Sequence, residues 1–336
     1  MQDGVLLTWP HDGGDWRPWL DEVDEVYVAL ARAITVRERL LICVRDAAHR
    51  AHVERLLAQA GVARSRVTVH MVASNDSWAR DHGPITVLEQ EQPRLLDFVF
   101  NGWGGKYAAD LDDRITAALV QAGAFGATAH EHIDFVLEGG AIESDGAGTL
   151  LTTSACLLSP GRNPRYSRSD IEQRLGECFG LQRVLWLDHG ALEGDDTDSH
   201  IDTLARFCDP STIAHVRCDD REDPHFGALE AMRHELEGLR DVHGVPYRLV
   251  ALPWPAARYG SDGRRLPATY ANFLVINGAV LVPTYRDAAD AAALATIGAC
   301  FPGREIIAID CLALIRQYGS LHCVTMQLPA GTMAPL

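Results

Sequence analysis

Short runs rich in β-branched and aliphatic residues recur along the whole chain, separated by stretches in which apolar positions return every three or four residues. The runs at 25–30, 39–44, 67–72, 95–100, 149–153, 183–187, 212–216, 247–252, 273–283, 305–309 and 321–328 read as strands by length and content. Helical spacing marks 47–59, with Gly61 just past its end, and 170–179, opened by Ser169-Asp170-Ile171-Glu172 as a capping box and closed by Gly180. Further helices are predicted over 112–122, 223–239 and 287–299. Strands and helices alternate to the end, which predicts an α/β fold. Pro253-Trp254-Pro255 and residues 260–265 mark exposed loops, but no low-complexity linker or charge block divides the sequence. A single domain over 1–336 is therefore expected.

Composition narrows the classes. A chain of 336 residues that is 47% hydrophobic can bury a large core. Its 46 acidic against 30 basic residues give a net charge of −16, and Lys106 is its only lysine. With no basic stripe, a nucleic-acid partner is excluded. The acidity serves solubility or, alternatively, a negative field that draws a small cationic substrate. The eight cysteines form no C-x-x-C pair, and Met1-Gln2-Asp3-Gly4-Val5 has neither a basic region nor an apolar run, so a reduced, cytoplasmic protein is expected. The most apolar stretches, near 272–282 and 288–300, are too short or too interrupted to span a bilayer, so no membrane partner is expected. A homo-oligomer stays open.

Five side chains stand in Gly-, Pro- or polar-punctuated segments: Asp81, Glu138, His200, Asp202 and Cys323. One thiol, one imidazole and three carboxylates suit nucleophilic attack on a flat cationic carbon. Most other cysteines, Cys43, Cys178, Cys208, Cys300 and Cys311, sit in apolar stretches and read as packing, as does Cys156. Cys323 follows Gly319-Ser320-Leu321-His322, a loop entering a predicted strand, and strand alternation would turn His322 to the opposite face. His200 lies between Asp198 and Asp202, where carboxylates can hold an imidazolium for proton transfer. The acidic run 195–202 fails as a calcium loop, because its sixth and twelfth positions from Asp196 are Ile201 and Phe207. A metallohydrolase reading lacks a second histidine at ligand spacing, so no metal is expected.

In order and wording these segments resemble the agmatine deiminase family. The matching stretches are Trp78-Ala79-Arg80-Asp81-His82-Gly83-Pro84, Asn101-Gly102-Trp103-Gly104-Gly105, Leu137-Glu138-Gly139-Gly140, Asp195 to Asp202, and Gly319 to Gln327. The resemblance spans nearly the whole chain, from Trp9-Pro10-His11 to Pro329. Any one alone would say little; five in order are hard to obtain by chance.

The resemblance implies a pentein fold, a five-bladed β/α propeller with about 67 residues per blade, although no repeat shows in the letters. It implies hydrolysis of a guanidino group, with agmatine as substrate and no organic cofactor or metal. It assigns Cys323 as nucleophile, His200 as acid and base, and Glu138 as the carboxylate behind the histidine. Asp81 and Asp202 would grip the guanidinium, with Trp78 also beside the substrate and Asp196 at its far end. Two departures stand out: Asp196 replaces the family's glutamate and Ser199 its glycine. The rival readings are a peptidyl-arginine deiminase, an amidinotransferase or dimethylarginine hydrolase of the same fold, and a binding protein without catalysis, against which the retained Cys323 and His200 argue.

Overall fold

In the computed structural model, which describes residues 1–335, short mixed sheets alternate with helices, the α/β arrangement the sequence predicts. One module recurs. Ile85–Glu89 pairs antiparallel with Gln92–Val99, which pairs parallel with Ala129–Val136. The same antiparallel-then-parallel order joins Ile142–Ser144, Thr149–Thr153 and Arg183–Leu187, and again Ala205–Asp209, Thr212–Val216 and Arg248–Leu252. A fourth sheet is closed by the chain's two ends: Met326–Pro329 lies antiparallel to Gln2–Thr8, followed by parallel Arg39–Val44 and Val67–Met71. A fifth has the order Leu274–Ile276, Ala279–Thr284, Glu305–Asp310, and Arg258–Tyr259 with Arg265–Leu266 forms a small ribbon.

The chain divides into two compact units. The first comprises Met1–Gly139, Leu274–Leu281 and the described residues from Leu321 onward; the second comprises Gly140–Phe273 and Val282–Ser320. In the first unit, Leu6, Leu41, Leu95, Ile115, Leu119, Phe125 and Leu328 form an apolar core that also takes in Ala79 and Met326. The segments carrying Asp81 and Cys323 are thus anchored by core residues close to them in sequence. Among the described residues, no helix is long and apolar enough to cross a membrane.

Several predicted elements change. Residues 25–30 lie within the helix Leu20–Thr35, not a strand: Val23, Val26, Tyr27, Leu30, Ala31 and Ile34 are buried at helical spacing, and that stripe outweighs the β-branched content. The run 273–283 breaks into two strands at Asn277-Gly278, where Gly278 supplies φ 71° for the hairpin. Only the end of 321–328 is strand, Met326–Pro329; Leu321 to Val324 form turns, so the alternation argument for His322 does not apply. The capping box sits two residues earlier than expected, with Ser167 and Asp170 capping Arg168–Phe179 reciprocally.

Candidate active site

Asp81 sits on a single helical turn, Ala79–His82. Gly83 follows; a Cβ there would lie 2.5 Å from the Ala79 carbonyl oxygen, so glycine is needed for the turn to close. Pro84 cannot continue the helix. The turn is pinned from its front by a half-buried carboxylate: the Trp78 indole N–H donates to Asp76 Oδ2 over 2.9 Å, and Trp16 donates to Asp76 Oδ1 over 2.8 Å. Burial raises the Asp76 pKa while these donors oppose the shift. Trp78, expected beside the substrate, thus spends its N–H on Asp76 and rests its ring 5.6 Å from that of Trp16.

Asp81 receives its own donor, the Trp103 indole N–H at 3.0 Å to Oδ2. Trp103 lies in a left-handed turn in which Gly102, Trp103, Gly104 and Gly105 have φ of 68°, 56°, 85° and 83°. Three glycines make this backbone accessible, and the Asn101 side chain accepts from Gly104 N over 2.8 Å. Phe100 packs edge-on against Trp103 at 5.0 Å and fixes the ring.

The Arg80 guanidinium is engaged within the protein. Its Nε donates to the His322 carbonyl over 3.4 Å, its Nη1 lies 3.5 Å from Met326 Sδ, and Nη2 donates to Gln327 Oε1. Its backbone N–H donates to the carbonyl of Cys323 over 3.1 Å. The Arg80 carbonyl in turn is overlain by Gly139, where a Cβ would come within 2.2 Å. Arg80 therefore brings the segments of Asp81, Glu138 and Cys323 to one place. All three side chains are buried.

In the second unit, His200 and Asp202 are buried within the stretch from Asp195 to Thr203, and Asp196 is half-buried. Asp195 organises the stretch: Oδ1 accepts from Thr197 N and Oγ1 over 3.1 and 2.5 Å, and Oδ2 accepts from Ser199 N over 2.6 Å. It is an internal clamp for the segment that leads into His200. Thr203 Oγ1 donates to the His200 carbonyl over 2.8 Å. Thr269 and Asn272 hang the following residues by bonds to the carbonyls of Thr203 and Asp202, at 2.9 and 3.3 Å. Cys156, read from sequence as plain core, has its sulfur within 4.8 Å of a His200 ring nitrogen.

Each unit thus assembles part of the predicted set: Asp81, Glu138 and Cys323 in the first, His200, Asp202 and Asp196 in the second. Sequence reasoning gave Trp103 no role, although glycines on both sides of one tryptophan signal a forced left-handed turn. Arg162 was missed entirely. Its buried guanidinium bonds Asp198 Oδ2 and the Thr197 carbonyl over 2.6 and 2.8 Å, and nothing in Gly161-Arg162-Asn163-Pro164 marks it out.

The family model for Porphyromonas-type peptidyl-arginine deiminase matches residues 1–329. The agmatine deiminase of Stutzerimonas stutzeri is 31% identical over 353 residues, covering 96% of this chain and 92% of that protein. Among solved structures, a C. jejuni agmatine deiminase in a cysteine-to-serine variant with substrate bound is 36% identical, with a TM-score of 0.90 and coverage of 98% and 94%. A Porphyromonas gingivalis protein provisionally described as an arginine deiminase is 51% identical, with a TM-score of 0.93 and coverage of 99% and 97%.

Proposed function

Because the chain belongs to the Porphyromonas-type peptidyl-arginine deiminase family, we propose that it hydrolyses agmatine to N-carbamoylputrescine and ammonia. The observation that carries this reading is its full-length likeness to a substrate-bound agmatine deiminase.

In this reading Asp81 and Asp202 hold the planar guanidinium through forked, charge-assisted hydrogen bonds. The Cys323 thiolate attacks the central carbon, and a C–S bond forms in a tetrahedral adduct. His200 protonates one nitrogen, the C–N bond breaks, ammonia leaves and a thiouronium remains on Cys323. His200 then takes a proton from water as the oxygen adds to the same carbon. Collapse of the second adduct breaks the C–S bond and returns the thiolate, while the remaining proton on the added oxygen passes to solvent, where it meets the released ammonia, and leaves the neutral ureido product. Glu138 orients the histidine and favours its charged form. Trp78 supports substrate binding through the turn it shares with Asp81, and Asp196 meets the far ammonium. Water is the only co-reactant these steps consume.

A second reading, free arginine or peptidyl-arginine as substrate, is favoured by the likeness to the P. gingivalis protein. Free arginine would need a cation for its α-carboxylate. The basic residue nearest in the motifs, Arg80, has its guanidinium on the His322 carbonyl and Gln327 instead, which supports agmatine. Ammonia release measured across agmatine, arginine, a peptidyl-arginine and methylated arginine decides: arginine ahead of agmatine leaves only the wider guanidine-deiminase class.

We further infer that the five sheets are blades of a pentein-type propeller and that both units serve one catalytic domain. The recurring module and the sheet closed by the two chain ends support this. The eight cysteines, all free, support a reduced, cytoplasmic setting, and a part in putrescine formation follows from the proposed product, N-carbamoylputrescine.

A further inference from the structure

Immediately before His200, two consecutive non-glycine residues, Asp198 and Ser199, hold left-handed backbone at φ 66° and 65°. L-residues avoid this region because Cβ crowds the following carbonyl, and such strain persists only where the surroundings enforce it. The group that engages the first strained residue is Arg162. Its side chain is fully buried, with Nη1 on Asp198 Oδ2 at 2.6 Å and Nη2 on the Thr197 carbonyl at 2.8 Å. A guanidinium is costly to bury and stays buried only when its fork is met by a carboxylate and further acceptors. The two Arg162 bonds fall on successive residues, Thr197 and Asp198, and so set the backbone direction between them. From the other side Thr153 Oγ1 donates to the Ser199 carbonyl over 2.8 Å, which fixes the peptide leading into His200.

We propose that Arg162 is a positioning residue: its fork enforces the left-handed Asp198–Ser199 pair and thereby sets the His200 imidazole for proton transfer. The proposal rests on the reading of His200 as the acid and base of guanidine hydrolysis. It also explains how a serine stands where the resembling family has glycine. Gly takes this φ without cost, whereas Ser199 takes it with its own N–H held by Asp195 and the preceding Asp198 held by Arg162.

The test is a cycle of four proteins: wild type, Arg162→Met, Ser199→Gly and the double variant, assayed for ammonia release from agmatine. Arg162→Met should lower kcat on the order of thirtyfold, with KM changed less than about threefold, since the loss falls on proton transfer and not on guanidinium binding. Ser199→Gly alone should stay within about threefold of wild type. Added to Arg162→Met it should recover at least about fivefold, because glycine adopts the backbone unaided. Near-wild-type kcat in Arg162→Met, or effects that simply multiply, would overturn the proposal. Should Arg162→Met fail to fold, Arg162→Lys carries the same comparison, its ammonium lacking the planar fork. A wild type that releases no ammonia from any guanidine overturns the activity reading instead. The geometric half is then decided by the crystal structure of the Arg162 variant, in which Ser199 should leave the left-handed region; an unchanged φ sinks it.

Discussion

The backbone N–H of Arg80 donates to the carbonyl of Cys323 over 3.1 Å, joining the residue before Asp81, a proposed guanidinium-binding carboxylate, to the proposed nucleophile. The Arg80 side chain repeats the link one residue away, at the His322 carbonyl. A shift of the Asp81 turn therefore carries the Cys323 segment with it.

Cys323→Ala is expected to abolish turnover while leaving the melting temperature within a few degrees, because in the proposed mechanism its thiolate makes the only covalent bond to substrate. Cys156→Ala should keep kcat within about tenfold of wild type, since its thiol, though within 4.8 Å of His200, forms no such bond. Equal loss in both, with matching loss of helical signal in circular dichroism, would remove the nucleophile assignment.

Trp103→Phe keeps a ring against Phe100 but deletes the N–H that Asp81 accepts at 3.0 Å. A hydrogen bond to a charged group contributes roughly 1.5–3 kcal/mol, so kcat/KM for agmatine should fall about tenfold or more. Steady-state kinetics checks this; an unchanged kcat/KM would mean that Asp81 needs no help from Trp103.

Asp196→Asn should weaken kcat/KM for agmatine by about tenfold while sparing neutral alkylguanidines, which lack the distant ammonium. An equal effect on both substrate types would detach Asp196 from the far end of the substrate. Asp196→Glu, restoring the family's longer side chain, should not fall below wild type for agmatine.

His82, next to Asp81, is fully buried, and neither ring nitrogen has a hydrogen-bond partner. Burial pushes its pKa down to about 3 from an ordinary 6.5. The unfolded chain then binds the extra proton between these values. The stabilising contribution of the neutral ring is complete above pH 6.5 and is lost as pH falls towards 3. His82→Leu should therefore flatten the fall in melting temperature between pH 7.5 and 5. Asp112, raised to about 7 mainly by burial, acts with the opposite sign over part of this range. The measurement is accordingly the difference between variant and wild type at each pH, and a constant difference would refute the linkage.

What the sequence determined by itself was local or chemical. The strand runs 149–153, 183–187 and 212–216 and the helix 47–59 stand where their patterns put them, because each rests on residues adjacent in the chain. The types of reactive group and the motifs around them were also legible, and with them the family. The tertiary structure decided the rest. Residues 25–30 became helix because a buried stripe formed against neighbours the window could not see. Trp78 donates to Asp76 and Trp103 to Asp81, since which carboxylate an indole reaches depends on how distant segments are brought to it. Arg80 meets His322 across 242 residues of sequence. Arg162 meets Asp198 across 36, and no local periodicity records either partnership. Hydrogen-bond partners and backbone strain are settled only when distant segments close on one another, and the positions of Asp81, Cys323 and His200 depend on both.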